Sequence, residues 1–172
     1  MTSGDRARRL DGLVLRELTA ADAAFQAEML YAAAFWRPDG EHPPIEIVLA
    51  RPEARRYLDG WGRDGDIGIV AELDGQPVGA AWCRLFTEDD HGDGYVDDET
   101  PELAIAVRDG ARGLGIGRRL LLALHERARD AGVRRMALSS EQDNFARTLY
   151  ASVGYVELAP DDPKDRMILD LD

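Results

Sequence analysis

Cysteine is almost missing from this chain. Cys83 is its one thiol, which excludes an internal disulfide and any site built on several cysteines. It reads as a small core residue and not as a nucleophile. Lysine is as scarce, with Lys164 alone among 21 basic residues. The three histidines, His42, His91 and His125, share no metal-ligand spacing, so no metal is expected. No apolar run approaches the roughly 18 residues of a membrane span. Nothing apolar follows Met1-Thr2-Ser3-Gly4-Asp5-Arg6, so the start does not read as a signal peptide. The expectation is a cytoplasmic protein with no membrane partner. Basic charge is outnumbered, and the net charge is −12. That speaks against nucleic acid and anionic lipid as partners. It suits a cationic acceptor such as an amine, or it serves solubility alone.

Hydrophobic residues make up 45% of the 172 and charged ones 31%, the composition of a soluble globular chain. Residues 1–172 read as one domain, large enough to bury a core without staples, with 1–10 as a frayed polar end. A homodimer stays open. The patterning predicts a strand over 13–18, then a helix from Asp22 to about Phe35 capped by Thr19 and burying Phe25, Met29 and Ala32. A loop rich in breakers covers 36–44. A second helix over 45–58 is interrupted near Pro52. Strands follow over 67–73 and 77–86, joined by the hairpin signal Asp74-Gly75. An acidic loop over 87–100, whose ordered part extends the hairpin edge, precedes a strand over 102–107. A long helix over 115–131 buries Ile116, Leu120, Leu124 and Ala128, with Leu121 beside them, places His125 on its exposed side, and ends at Gly132. A strand over 135–139, a short helix over 144–152 and strands over 155–158 and 166–171 complete the chain.

The informative stretch is Arg112-Gly113-Leu114-Gly115-Ile116-Gly117. It joins a buried strand to a helix N-terminus, where unpaired N–H groups and the helix dipole favour an anion. The glycines let a phosphate approach the backbone, and Arg112 and Arg118 add charge-assisted donors. Arg118-Arg119 stand where a Walker motif needs Lys-Ser/Thr, and Arg118 stands where a Rossmann fingerprint needs Gly.

The stretch instead resembles the pyrophosphate motif of the GCN5-related N-acetyltransferase (GNAT) family, Gln/Arg-x-x-Gly-x-Gly/Ala. Arg112, Gly115 and Gly117 fill its fixed positions. Asn144-Phe145-Ala146-Arg147-Thr148-Leu149-Tyr150-Ala151-Ser152-Val153-Gly154-Tyr155 is similar to that family's C-terminal signature. The resemblance is strongest over 66–158. It implies an α/β acyl-CoA N-acyltransferase fold: a mixed, mostly antiparallel sheet flanked by helices, with a β-α-β unit carrying the pyrophosphate turn. It implies an acetyl-CoA-dependent N-acetyltransferase, in which a primary amine attacks directly in a ternary complex. The cofactor would contact Ile105, Ala106, Val107, Arg112, Gly113, Gly115, Gly117, Arg118 and Asn144. Tyr150 would protonate the leaving thiolate, and Glu102 would take the amine's proton through water. The acceptor is a small molecule or peptide amine.

Each residue also has a plainer reading. Tyr150 is otherwise a core-edge aromatic, Asn144 a helix cap, and Glu102 a solvent-exposed strand start. His42 and His91 are loop residues that face either an acceptor or solvent. Asp89-Asp90 and Asp97-Asp98-Glu99 attract a cation or are merely solvated. Trp36, Trp61 and Trp82 wall a pocket or fill the core. Two rival functions stand beside the transferase: a CoA-binding protein without turnover, and a dinucleotide-dependent enzyme with Glu141 on the ribose.

Overall fold

The computed structural model describes residues 10–172. The chain enters through β1 (Leu13–Glu17) and a 3-10 turn at Ala20–Asp22, then α1 (Ala23–Ala34). The Asp22 carboxylate accepts from the Thr19 N–H at 2.9 Å and from the Arg16 guanidinium, which fixes the helix entry. α2 (Ile45–Leu49) and α3 (Pro52–Leu58) are separate helices. Pro52 opens the second, where its missing N–H is harmless. β2 (Ile67–Leu73) and β3 (Gln76–Arg84) form the hairpin. Asp74 and Gly75 turn it at φ 53° and 77°, the left-handed pair that matches strand twist. β4 (Glu102–Val107), α4 (Ile116–Asp130), β5 (Arg135–Ser139), α5 (Ala146–Ser152), β6 (Val156–Glu157) and β7 (Arg166–Asp170) follow.

The seven strands of the described residues share one sheet, in the order β1-β2-β3-β4-β5-β7-β6. Every neighbouring pair is antiparallel except β4 and β5. This is the mixed, mostly antiparallel sheet flanked by helices that the resemblance implies. One face packs against α4 through Ile116, Leu120, Leu124 and Ala128. The other packs Trp82 and Ala106 against Phe25 and Met29 of α1. α4 ends as Gly132 predicts: that glycine stands at φ 81°, and the Val133 N–H reaches back to the Ala128 carbonyl at 2.9 Å.

Some expectations fail. His125 is buried, at 1% exposure. It follows Leu121 by one turn and so lies on the buried stripe. Its Nε2 is 3.2 Å from the Tyr155 hydroxyl. Burial and the Arg129 charge push its pKa down to about 4, so the ring is neutral at pH 7. Leu10, placed in the frayed end, packs into the core; residues 1–9 lie outside the described part. α5 begins at Ala146, two residues after Asn144. The 87–100 segment does not extend the hairpin, having only an isolated Thr87–Asp90 bridge. Among the described residues no helix is long and apolar enough to cross a membrane.

Candidate active site

β4 and β5 run parallel yet share one register pair, Glu102 with Ala137. The Ala137 N–H donates to the Pro101 carbonyl at 3.0 Å, and beyond that point the strands separate. Arg108 donates its N–H to Val78 of β3 at 2.8 Å. Alternation along β4 therefore turns the peptides of Ala104 and Ala106 toward β3. It turns those of Ile105 and Val107 into the gap. The Val107 carbonyl fits this direction, since it accepts from Arg112 Nε at 3.0 Å. Ala106, grouped with its neighbours by the sequence, offers the gap no peptide group. The separation opens a cavity of about 740 Å³ through the sheet.

The Arg112–Gly117 turn borders that cavity. Gly113 and Gly115 stand at φ 75° and 88°, in the region where any side chain is strained. Gly115 is the N-cap of α4, and no side chain caps the helix. The Arg119 N–H bonds back to the Gly115 carbonyl, so the N–H groups of Ile116, Gly117 and Arg118 have no helical partner. Gly117 differs from the other two glycines. A Cβ there would lie 3.1 Å from Leu149 Cδ2, so its smallness lets α4 approach α5. Arg112 pairs with Asp109 at 2.8 Å and lies 5.9 Å from the Phe145 ring. Arg118 donates to the Ser152 carbonyl and Oγ at 3.0 and 2.9 Å. Both guanidinium groups stand at the rim.

Glu102 lines the opposite end of the cavity and is 4% exposed. It is not the solvent-facing strand start of the plainer reading. Its Oε1 accepts from the Tyr57 hydroxyl at 2.5 Å and from the Gly94 N–H at 2.9 Å. Its Oε2 is buried with no partner among the described residues. Burial pushes the carboxyl's pKa up, against the two hydrogen bonds. The acidic loop closes over this group. A Cβ on Gly92 would meet the Tyr57 hydroxyl at 1.6 Å, and one on Gly94 would meet Glu102 Cγ at 2.8 Å.

Tyr150 lines the cavity from α5. It is 8% exposed, and burial pushes its phenol up to about 12. No described residue hydrogen-bonds its hydroxyl, so the group carries a proton with no internal acceptor. Asn144 also lines the cavity. Its Oδ1 accepts from the Ala146 N–H at 2.9 Å, closing a local turn ahead of the helix. The N-cap of α5 is Phe145, without a side-chain cap bond, so Asn144 is not the helix cap of the plainer reading.

Trp36 reaches the cavity, whereas Trp82 is core and Trp61 donates to the Leu18 carbonyl at 3.1 Å. Trp36 packs edge-on against Phe145 at 5.9 Å, and Arg37 pairs with Asp143 at 2.7 Å and with Glu141. The 36–44 loop is thereby tied to the segment before α5. Cys83 is buried, and its thiol is pushed up to about 12. His91 stacks on Tyr95 and bonds the Gly92 carbonyl; His42 bonds the Arg37 carbonyl. Sequence reasoning missed Tyr57 and the Arg37 contacts. Gly92 and Gly94, two residues apart, were the one local hint of a close approach.

Residues 27–155 match the model of the Acetyltransferase (GNAT) family. The chain belongs to this family. An aminoglycoside N(6')-acetyltransferase type 1 from Stenotrophomonas maltophilia is 30% identical over 145 residues, 83% of this chain and 86% of that protein. A mycothiol acetyltransferase from Cellulomonas flavigena is 32% identical over 95 residues, 54% of this chain and 27% of that longer protein. Among solved structures, yncA from Salmonella typhimurium, with its cofactor acetyl-CoA, superposes at a TM-score of 0.64 with 25% identity, covering 94% of this chain and 95% of that one.

Proposed function

We propose that this GNAT protein transfers acetyl from acetyl-CoA to a primary amine by direct attack, working as one domain. The observation that carries the reading is the cavity between β4 and β5. It is lined by Glu102, whose Oε2 has no hydrogen-bond partner among the described residues, by Tyr150, whose hydroxyl has none among them, and by Ile105 and Val107, whose peptide groups turn toward it. The residues fit the donor: the open N–H groups of Ile116, Gly117 and Arg118 suit a pyrophosphate, and the peptides of Ile105 and Val107 suit an amide-bearing arm. Acetyl-CoA supplies an acetyl group activated as a thioester. Gly113 and Gly115 keep the turn open, Arg112 and Arg118 add positive charge, and Asn144 holds the adjoining turn.

Glu102 takes the proton that the alkylammonium must lose before its nitrogen lone pair can attack the acetyl carbon. The second proton leaves nitrogen as the tetrahedral adduct collapses to the amide and replaces the one that Tyr150 gives to sulfur. An alkylamine is almost wholly protonated at pH 7, so a base near the acceptor is required. Tyr150 gives its proton to sulfur as the carbon–sulfur bond breaks. Its raised pKa keeps that proton in place until the thiolate forms. The acidic surface and the Glu102 pocket favour a cationic acceptor. The name of the Stenotrophomonas maltophilia relative points to aminoglycosides as probes, and that of a ribosomal-protein-alanine N-acetyltransferase from Brucella melitensis, 29% identical at a TM-score of 0.62, points to protein alanine.

The test is a panel of kanamycin, spermidine, free amino acids and an alanine-initiated peptide, each with acetyl-CoA and the purified protein. At least one amine should gain a single acetyl group by mass, with one CoA released per product. Acetyl-CoA binding with no acetylated amine on a wide panel would favour the reading of a CoA-binding protein without turnover. Stabilisation by NAD and not by CoA would favour the dinucleotide reading.

A further inference from the structure

We propose that Tyr57 is a positioning residue for acetyl transfer: with the Gly94 N–H it fixes Glu102 Oε1 and leaves Oε2 as the atom that takes the amine's proton. The proposal rests on Glu102 as the base. Its own ground is the asymmetry of the carboxylate. One oxygen has two donors, at 2.5 and 2.9 Å. The other is buried, has no donor among the described residues and belongs to a side chain that lines the cavity. A carboxylate whose two oxygens shared their donors would rotate and lose that difference. Here rotation about Cγ–Cδ would break both bonds to Oε1.

Tyr57 is itself held in place. It lies on α3, and its ring meets Phe86 edge-on at 5.2 Å. Gly92 leaves room for its hydroxyl, since a Cβ there would overlap it. The charged groups around Glu102 do not replace this donor. Asp93 of the 87–100 loop is paired with Lys164 and raises the Glu102 pKa. His91 of the same loop lowers it less than the two hydrogen bonds do. Arg84, opposite Glu102 on β3, is committed to Asp66 at 2.6 Å and to the Arg56 and Asp59 carbonyls. Among the described residues Tyr57 is therefore the one side chain that stabilises the charged carboxylate by direct contact.

Tyr57→Phe removes the hydroxyl and keeps the ring. It takes away a hydrogen bond to the charged form, so the Glu102 pKa should rise. The base then loses its charge at a higher pH. Carbon NMR of protein labelled at the glutamate carboxyl carbons reads this directly, with Glu102→Gln identifying the resonance. The midpoint should rise by about one pH unit, the size expected for one hydrogen bond to a charged group. The acidic limb of kcat/KM should move with it, measured with acetyl-CoA and the panel amine of highest kcat/KM. KM for acetyl-CoA should stay level. In the Glu102→Gln background Tyr57→Phe should change kcat no further. Phe86→Leu is the packing control, expected to lower Tm without moving the midpoint. If Tyr57→Phe moves neither midpoint nor limb while Glu102→Gln removes the limb, the proposal is overturned and the base assignment stands. If Glu102→Gln keeps the limb, the base assignment fails and the proposal falls with it.

Discussion

Glu102→Gln should lower kcat/KM by about 10²–10⁴ when the acceptor is an alkylamine, the usual worth of positioned base help. The reason is the amine's own charge. Without a base, only the small neutral fraction of amine reacts, and the rate should climb with pH toward the amine's pKa. In the native protein the acidic limb should lie lower, at the pKa of Glu102, which burial has raised from its ordinary value. The sign is fixed by that direction. The carboxylate is charged above its pKa, so base help is present above it and lost as pH falls through it. The variant keeps an oxygen for Tyr57 and Gly94. It relieves the burial of a charge, so the fold should persist. Stopped-time assays from pH 5.5 to 10, with circular dichroism on the same samples, check both statements. An unchanged profile at full activity would show that Glu102 is structural.

Tyr150→Phe should lower turnover about ten- to a thousand-fold. General acid help is typically worth about 10²–10⁴, and water can replace part of it. The loss should appear in kcat and kcat/KM together, the mark of an interaction made chiefly in the transition state. CoA affinity should change little, because the phenol makes no bond that the donor's other contacts need. The fold should survive, because no described residue depends on the hydroxyl. With the phenol pushed up to about 12, no basic limb below about pH 10 should belong to Tyr150. The loss should shrink for acyl donors whose leaving thiol is more acidic. Normal turnover in the Phe variant, with chemistry shown to limit the rate, removes Tyr150 from the mechanism.

What the sequence made legible was local or periodic. The α4 stripe, its Gly132 end and the Asp74-Gly75 hairpin each follow from neighbours within one or two turns. The break at Pro52 did too, whereas the parallel β4–β5 unit came from the order strand, helix, strand over 102–139. The glycine turn was legible because positive φ at Gly113 and Gly115 needs glycine. The burial of His125 was within reach, since it continues the register of Leu121, but a histidine suggests a wet face. Glu102 was readable as a candidate and unreadable as buried, because its cover comes from Gly92, Gly94 and Tyr57. The Tyr57 bond spans 45 residues of sequence and the Arg37–Glu141 pair spans 104, and no local pattern announces either. β7 between β5 and β6 is equally silent in chain order.

Amide exchange at β4 reads the proposed donor seat most directly. In the free protein the N–H groups of Ile105 and Val107 open on the cavity, while those of Ala104 and Ala106 are committed to β3. Saturating CoA should slow exchange at Ile105 and Val107, on the order of ten-fold or more, and perturb Ile116, Gly117 and Arg118. Ala104 and Ala106 should change far less. CoA that binds tightly while Ile105, Val107 and the start of α4 exchange as before would contradict the account.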